Sequence, residues 1–431
     1  MKIPNISLIP SCMFWSVFLF IFTYAPPLIP YMHVLLGVFV LFVMIFTYNR
    51  AYAESFQKSN LSLWIKVMIG VFLYVLIIPL PLSAFYNDIV DLPHYYHLFN
   101  RFSVLIFMEA TCTTFLLARF KIKKYSFLFF INLLIGIASF QSILGCLALA
   151  FPEVKSIFLT LMTTMGSLST EKEGLLITRT FGFAGSMLDQ FGLGTGLIAG
   201  ISFFLGVNYK SRYIWYSLFI MISAVLNSRT GIVIYIIGIL ITVFSSILIN
   251  KNIKMMLKTL IFMFLIPMIF AATLEVVSTY SETTGEWVSQ GVESVVELVE
   301  TGNSTKDDMG VITSEHFWQL PDAEHILIGT GHSRYEAEGY LHTDCGIVND
   351  IWFVGILGLF LLYGIVVFLC FKIFKNSNEA LGKFIALFFL CSFFVFDIKG
   401  ATIGYNMGGA VFFLVLFATR FYQQINLISK E

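Results

Sequence analysis

Continuous apolar runs of membrane length, following one another from end to end, constrain this chain more than any other feature. A helix needs about 20 apolar residues to cross the hydrocarbon core of a bilayer. Twelve such runs begin near Leu8, Pro30, Leu63, Arg101, Tyr125, Met187, Tyr213, Thr230, Met256, Gly346, Ala380 and Thr402. They are continuously apolar rather than alternating, which excludes a transmembrane barrel, whose strands alternate between lipid and lumen. Composition agrees, since 58% of the residues are hydrophobic and 12% charged, too few charges to cover a soluble core. The expected fold is an all-α polytopic integral membrane protein of about 12 transmembrane helices. The first run has the length of a signal peptide, but a second follows at once without a small-residue cleavage site, so it reads as a retained helix.

Lys and Arg in short connections stay on the cytoplasmic side. Lys2, Arg50 with Lys58, Arg119 with Lys121, Lys123 and Lys124, Lys210 with Arg212, Lys251 with Lys254 and Lys258, Lys372 with Lys375, and Arg420 with Lys430 occupy every second connection. Both termini are therefore expected in the cytoplasm, with Arg101, Lys155, Lys172 and Lys399 as scattered exceptions. Three regions result: 1–271 with helices 1–9, a large outward loop over 272–342, and 343–431 with helices 10–12. All seven His then fall in or beside outward segments. The lipid bilayer is the expected partner, and a formal net charge of zero argues against nucleic acid. Cys12, Cys112, Cys146, Cys370 and Cys391 lie inside apolar runs and read as packing residues. No disulfide framework or metal spacing is present, so no metal and no cofactor is expected.

The large loop is where chemistry is expected. Val288, Val292, Val295, Val296 and Val299 fall at helical spacing and predict an amphipathic helix, and Gly302 to Asp308 reads as a flexible joint. The loop ends in Ile328-Gly329-Thr330-Gly331-His332 and His342-Thr343-Asp344-Cys345-Gly346, so its reactive side chains reach the membrane where the next run begins. Arg229, in Asn227-Ser228-Arg229-Thr230-Gly231, breaks the positive-inside pattern. An Arg beside hydrocarbon is costly without an anion, and its guanidinium can hold two phosphate oxygens. Arg179, in Arg179-Thr180-Phe181-Gly182, is similar, and the two together suggest a diphosphate clamp. His342 can accept a proton near neutral pH, with His332 as the alternative base. Asp344 could orient it or bind a sugar hydroxyl, and Arg334 offers a third cationic contact. Glu109 lies well inside the fourth run and Asp189 near the outer start of the sixth, where carboxylates should face the bundle interior.

These features resemble the bacterial O-antigen polymerase family and its relative, the O-antigen ligase. The likeness rests on twelve helices, Arg179-x-x-Gly182, Asn227-Ser228-Arg229-Thr230-Gly231, the late outward loop, Gly329-x-Gly331 with His342-Thr343-Asp344-Cys345-Gly346, and Gly355-Ile356-Leu357-Gly358. The resemblance implies a GT-C-like bundle with a large periplasmic loop in the bacterial inner membrane. It implies a metal-independent glycosyltransferase acting on undecaprenyl-diphosphate-linked oligosaccharide, with a chain-length regulator protein as partner. In that reading Arg179 and Arg229 bind the donor diphosphate and His342 assists the acceptor hydroxyl, with His332, Arg334, Asp344 and Asp189 contacting substrate. One departure is that Gln190 stands where an Arg-x10-Gly pattern starting at Arg179 would place Gly, which weakens a two-arm exchange model. The competing expectations are a ligase, and a lipid-linked oligosaccharide flippase or proton-coupled transporter using Glu109 and Asp189.

Overall fold

The computed structural model describes residues 9–26, 32–79, 81, 109–164, 184, 188–248, 315–331, 343, 345–398 and 407–425, with isolated positions between 257 and 297. Most of these residues are helical, and none of them is in a strand. In chain order the helices are α1 Ile9–Tyr24, α2 Met32–Phe46, α3 Arg50–Lys58, α4 Leu61–Ile77, α5 Thr113–Ile122, α6 Phe127–Ala150, α7 Pro152–Thr164, α8 Leu188–Asn208, α9 Arg212–Asn227, α10 Arg229–Leu248, α11 Gly346–Asn376, α12 Ala380–Asp397 and α13 Met407–Gln424. Among the described residues four stretches are long and apolar enough to cross a membrane: Phe127–Ala150, Phe191–Asn208, Gly346–Asn376 and Ala380–Asp397; the pair α3 and α4, bent by 70°, makes a fifth if it counts as one span. The chain is thus an α-helical, multi-pass membrane protein. Helices α3 and α7 lie in stretches that sequence reading left as plain connections. The loop valines lie outside the described residues, although Ser289, Gln290, Glu293 and Glu297 among them are helical.

Helix α8 is the axis of the bundle, with 94% of Phe191–Asn208 buried. Gly192, Gly196 and Gly200 recur every fourth residue, a stripe that lets helix backbones approach closely in lipid. A Cβ at Gly196 would lie 2.6 Å from the carbonyl oxygen of Gly231 on α10. Hydroxyls tie the same helices together. Ser217 on α9 donates to Ala199 O at 2.8 Å and to the Tyr235 hydroxyl at 3.0 Å, and Ser202 donates to Tyr213 O at 2.8 Å. Aromatic rings fill the remaining seams, with Phe204 stacked on Phe384 at 4.2 Å and Trp64 tilted against Phe413 at 4.3 Å.

The contacts also show which helix ends lie together. Phe384 meets Phe204, and a Cβ at Gly200 would strike the Phe388 ring, so α12 runs antiparallel to α8 and ends near its start. Tyr24 at the end of α1 packs on Phe191 at 5.9 Å. One end of the bundle therefore holds the tail of α1, the heads of α8, α10 and α11, and the tail of α12. The other end gathers the basic residues. There Arg420 donates to Asn60 Oδ1 at 3.1 Å, Tyr422 donates to Tyr125 O at 3.0 Å, and Glu54 pairs with Lys58 at 2.6 Å and with Lys121.

Glu54 lies on the short polar helix α3, outside the spans, and the hydrogen bonds from Lys121 and then Lys58 pull its carboxyl down from its ordinary 4.5 to about 2. A carboxyl with a depressed folded value adds stability above its unfolded value. That contribution is lost as pH falls from about 4.5 to about 2. Glu54 is partly exposed, so the effect should be modest, on the order of 1 kcal/mol or less. Acid titration of the melting temperature should be flatter over this range in Glu54→Gln than in wild type. Identical profiles would show that the pair carries no stability.

Candidate functional site

The site is built where α8 and α10 begin side by side. Asp189 is the second residue of α8 and Arg229 the first of α10. The two heads are in direct contact, because a Cβ at Gly192 would lie 2.6 Å from Ser228 Cβ and 2.9 Å from Gly231 N. Only glycine allows that approach. Ser228 is extended, at φ −158° and ψ 120°, and its N–H donates to Ala224 O at 2.8 Å, closing α9. It thereby occupies the position that caps α10.

A capping Ser usually turns its hydroxyl back onto a backbone N–H of the first helical turn. Ser228 does not. Its hydroxyl is 1% exposed and makes no hydrogen bond in the structure. The first N–H groups of a helix have no partner within the helix and carry its partial positive charge. The head of this 20-residue helix, whose first residue is Arg229, therefore holds a buried donor without a partner beside its positive end.

A second structure lies at the same end. The run from Gly346 to Asn376 is a broken helix, with Gly355 at φ 64° and ψ −179°. A break exposes backbone groups that lipid cannot satisfy, and here the end of the large loop satisfies them. Ile356 and Leu357 donate to Ile326 O and Leu327 O at 3.0 and 3.1 Å, while Thr330 and Gly331 donate to Trp352 O and Phe353 O at 2.7 and 3.1 Å. Tyr74 of α4 donates to Ile328 O at 2.9 Å. Gly329 and Gly355 face each other backbone to backbone. The Gly329-x-Gly331 and Gly355-Ile356-Leu357-Gly358 segments, separate in sequence, thus form one docked element.

The head of α11 is anchored as well. Thr343 donates from its hydroxyl to Phe317 O at 3.1 Å, and Asn349 donates from Nδ2 to Thr343 O at 2.7 Å. Cys345 is fully buried, its sulfur 4.0 Å from Asp397 O. The chain neighbours of His342 and Asp344 are therefore fixed against the bundle.

Arg179, His332, Arg334, His342 and Asp344 lie outside the described residues. Asp189 and Arg229 are placed by their helix positions, on adjoining helix heads. Sequence reading missed Asp350 and Asp397, which are 1% and 0% exposed. Both act electrostatically on the Tyr363 hydroxyl and on Cys345, which places the four side chains in one neighbourhood. A carboxylate inside an apolar run, as in Val348-Asn349-Asp350-Ile351, was the available signal. The chain matches no protein-family model and no curated protein.

Among the described residues, the head of α10 thus carries a buried hydroxyl without a partner, and Asp350 on α11 and Asp397 on α12 are buried at the same end of the bundle.

Proposed function

We propose that the chain is a polysaccharide polymerase of the O-antigen type, a metal-independent glycosyltransferase that joins undecaprenyl-diphosphate-linked repeat units at the periplasmic face of the inner membrane. The reading includes twelve spans in a GT-C-like bundle, with both termini cytoplasmic. The observation that carries it is the cradle at the head of α10, where a buried hydroxyl without a partner adjoins Arg229. That is the chemistry a lipid diphosphate requires, at the head of a helix whose first residue is an Arg.

In the proposed reaction a hydroxyl of the acceptor unit attacks the anomeric carbon of the donor sugar. The bond between that carbon and the diphosphate oxygen breaks as the new glycosidic bond forms. The hydroxyl proton passes to His342, and the leaving lipid diphosphate carries the released negative charge. Arg179, Arg229 and the positive end of α10 stabilise that charge as it develops, in a site screened from water. Arg334, Asp344, His332 and Asp189 contact the substrates.

A second reading is supported by the break in α11 at Gly355 and by the buried carboxyl of Glu109, since interrupted helices and buried carboxylates are also features of transporters. Lipopolysaccharide banding of a null strain separates the readings. A null that carries a single repeat unit, with the ladder restored by wild type, supports polymerisation. A null that lacks every repeat overturns it in favour of ligation or translocation.

A further inference from the structure

At the end of the bundle opposite the candidate site, Arg420 is 4% exposed. Among the described residues, every acceptor its guanidinium meets is a neutral amide. Nε donates to Asn60 Oδ1 at 3.1 Å and Nη1 to Gln423 Oε1 at 3.4 Å. Gln424, with its amide oxygen turned toward Arg420, accepts from both Nη atoms, at 3.0 Å from Nη1. Amide oxygens satisfy the N–H groups but leave the charge unbalanced, and an uncompensated cation inside a membrane bundle is costly. No carboxylate among the described residues pairs with it. Glu54, the acid of this end, is taken by Lys58 and Lys121, and Glu379 acts on Tyr209 rather than on Arg420.

A second cation stands beside the first. Gln423, which accepts from Arg420, donates through Nε2 to Ile373 O at 2.9 Å and to the Ser377 hydroxyl. The tails of α13 and α11 are thereby clamped together at Arg420 and at Lys372, the neighbour of Ile373, and the charge of Arg420 acts on Lys372. Each cation lies one turn before a helix end, at Asn376 or Gln424. Such an end carries roughly half a negative charge, so the two ends together offset about one of the two cations. An added anion would balance the other and relieve the repulsion between them.

The surroundings indicate which anion. Lys372 Nζ lies over the Phe368 ring at 5.1 Å, and Phe368, Phe371 and Phe374 are all exposed on a membrane-spanning helix. Lys372 therefore stands at the edge of a lipid-facing aromatic surface, with Arg420 inward of it. Gln424 is exposed, so an anion can displace its amide and take both Nη atoms, the two-pronged geometry of guanidinium with phosphate. Basic pockets between spanning helices bind anionic lipid headgroups by this chemistry. We propose that Arg420 and Lys372 bind the phosphodiester of an anionic phospholipid whose acyl chains lie along Phe368 and Phe371. The lipid would tie α11 to α13 at the end of the bundle away from Arg229, and the site stands whether or not the transferase reading holds.

The test is thermal unfolding of the purified full-length chain in detergent micelles containing phosphatidylglycerol or phosphatidylcholine with the same acyl chains, and in a parallel arm with inorganic phosphate at equal ionic strength. Wild type should melt about 3 °C or more higher with phosphatidylglycerol than with phosphatidylcholine, as expected for a ligand that binds only the folded state. Arg420→Gln should abolish the difference. Lys372→Gln should reduce it, and keeps the test decisive if Arg420→Gln fails to fold. Lys123→Gln, which removes one positive charge from an exposed position at the same end, should leave it intact. Equal melting in the two lipids, or a phosphatidylglycerol response that survives both Arg420→Gln and Lys372→Gln, overturns the proposal. A rise with inorganic phosphate that matches the lipid response assigns the pair to a soluble phosphate and overturns the lipid assignment.

Discussion

Gly355→Ala is expected to destabilise the folded chain by about 3 kcal/mol or more and to unseat the 326–331 segment from α11. Two costs add. The backbone at Gly355 sits at φ 64° and ψ −179°, a region essentially restricted to glycine, which costs on the order of 1–3 kcal/mol for any other residue. The new methyl would also lie 2.5 Å from Ile328 C and from Leu327 O, and nearer still to Gly329 N. These are backbone atoms held by their own hydrogen bonds, so they cannot yield as a flexible side chain would. Gly364 lies on the same helix with nothing within 4 Å of its would-be Cβ. There the same substitution should be neutral or stabilising by up to about 1 kcal/mol, because alanine is the better helix former. The melting temperature should fall in Gly355→Ala and hold or rise in Gly364→Ala. Amide exchange at Thr330, Gly331, Ile356 and Leu357 should rise in Gly355→Ala alone, and unchanged exchange there would disprove the docking role. On the proposed function, Gly355→Ala also erases the polysaccharide ladder, because Gly331 leads directly into His332 and Arg334.

This docked element explains what the sequence could and could not disclose. Phe127–Ala150 and Ala380–Asp397 were readable as spans because apolar length and helical hydrogen bonding are local properties. The break at Gly355 was not readable, because Val354-Gly355-Ile356 is as apolar as an unbroken span. Its backbone is satisfied by Ile326, Leu327, Thr330 and Gly331, more than 20 positions earlier in the chain. Helix α3 is hidden in the sequence for a different reason: it is polar and only nine residues long, and the charges of Arg50 and Lys58 speak to sidedness rather than to helix formation.

The candidate site divides in the same way. Arg229 was readable because a cation at the start of an apolar run contradicts the basic-residue pattern. The pairing of its turn with the head of α8 was not, since it depends on Gly192 and Gly196 meeting Gly231 and on Gly200 meeting Gly238. Asp397 stands at the end of its apolar run, where a lone carboxylate resembles a loop residue, whereas Asp350 lies within the first turns of its run and only its position in the packed bundle shows it to be buried. Packing of α11 against α12 buries both.

Ser228 separates a functional from a structural role at the cradle more cleanly than any other position. Its buried hydroxyl makes no hydrogen bond within the protein, so Ser228→Ala removes a desolvated polar group and leaves nothing unpaired. Stability should be unchanged or raised by up to about 1 kcal/mol. If the hydroxyl donates to the substrate diphosphate, the same change should lower turnover about tenfold, the usual scale for one neutral hydrogen bond. Arg229→Ala should lower turnover about 10²–10³-fold, the scale for losing a preorganised donor to a developing anion. Arg229→Lys should fall between, since an ammonium keeps the charge but not the two-pronged geometry. The measurement is single-turnover extension of a lipid-diphosphate-linked repeat unit, with melting temperatures recorded on the same preparations. Turnover that falls while stability holds or rises is a signature no packing defect produces. Full activity in both Ser228→Ala and Arg229→Ala would remove the head of α10 from the reaction and return the cradle to a purely structural turn.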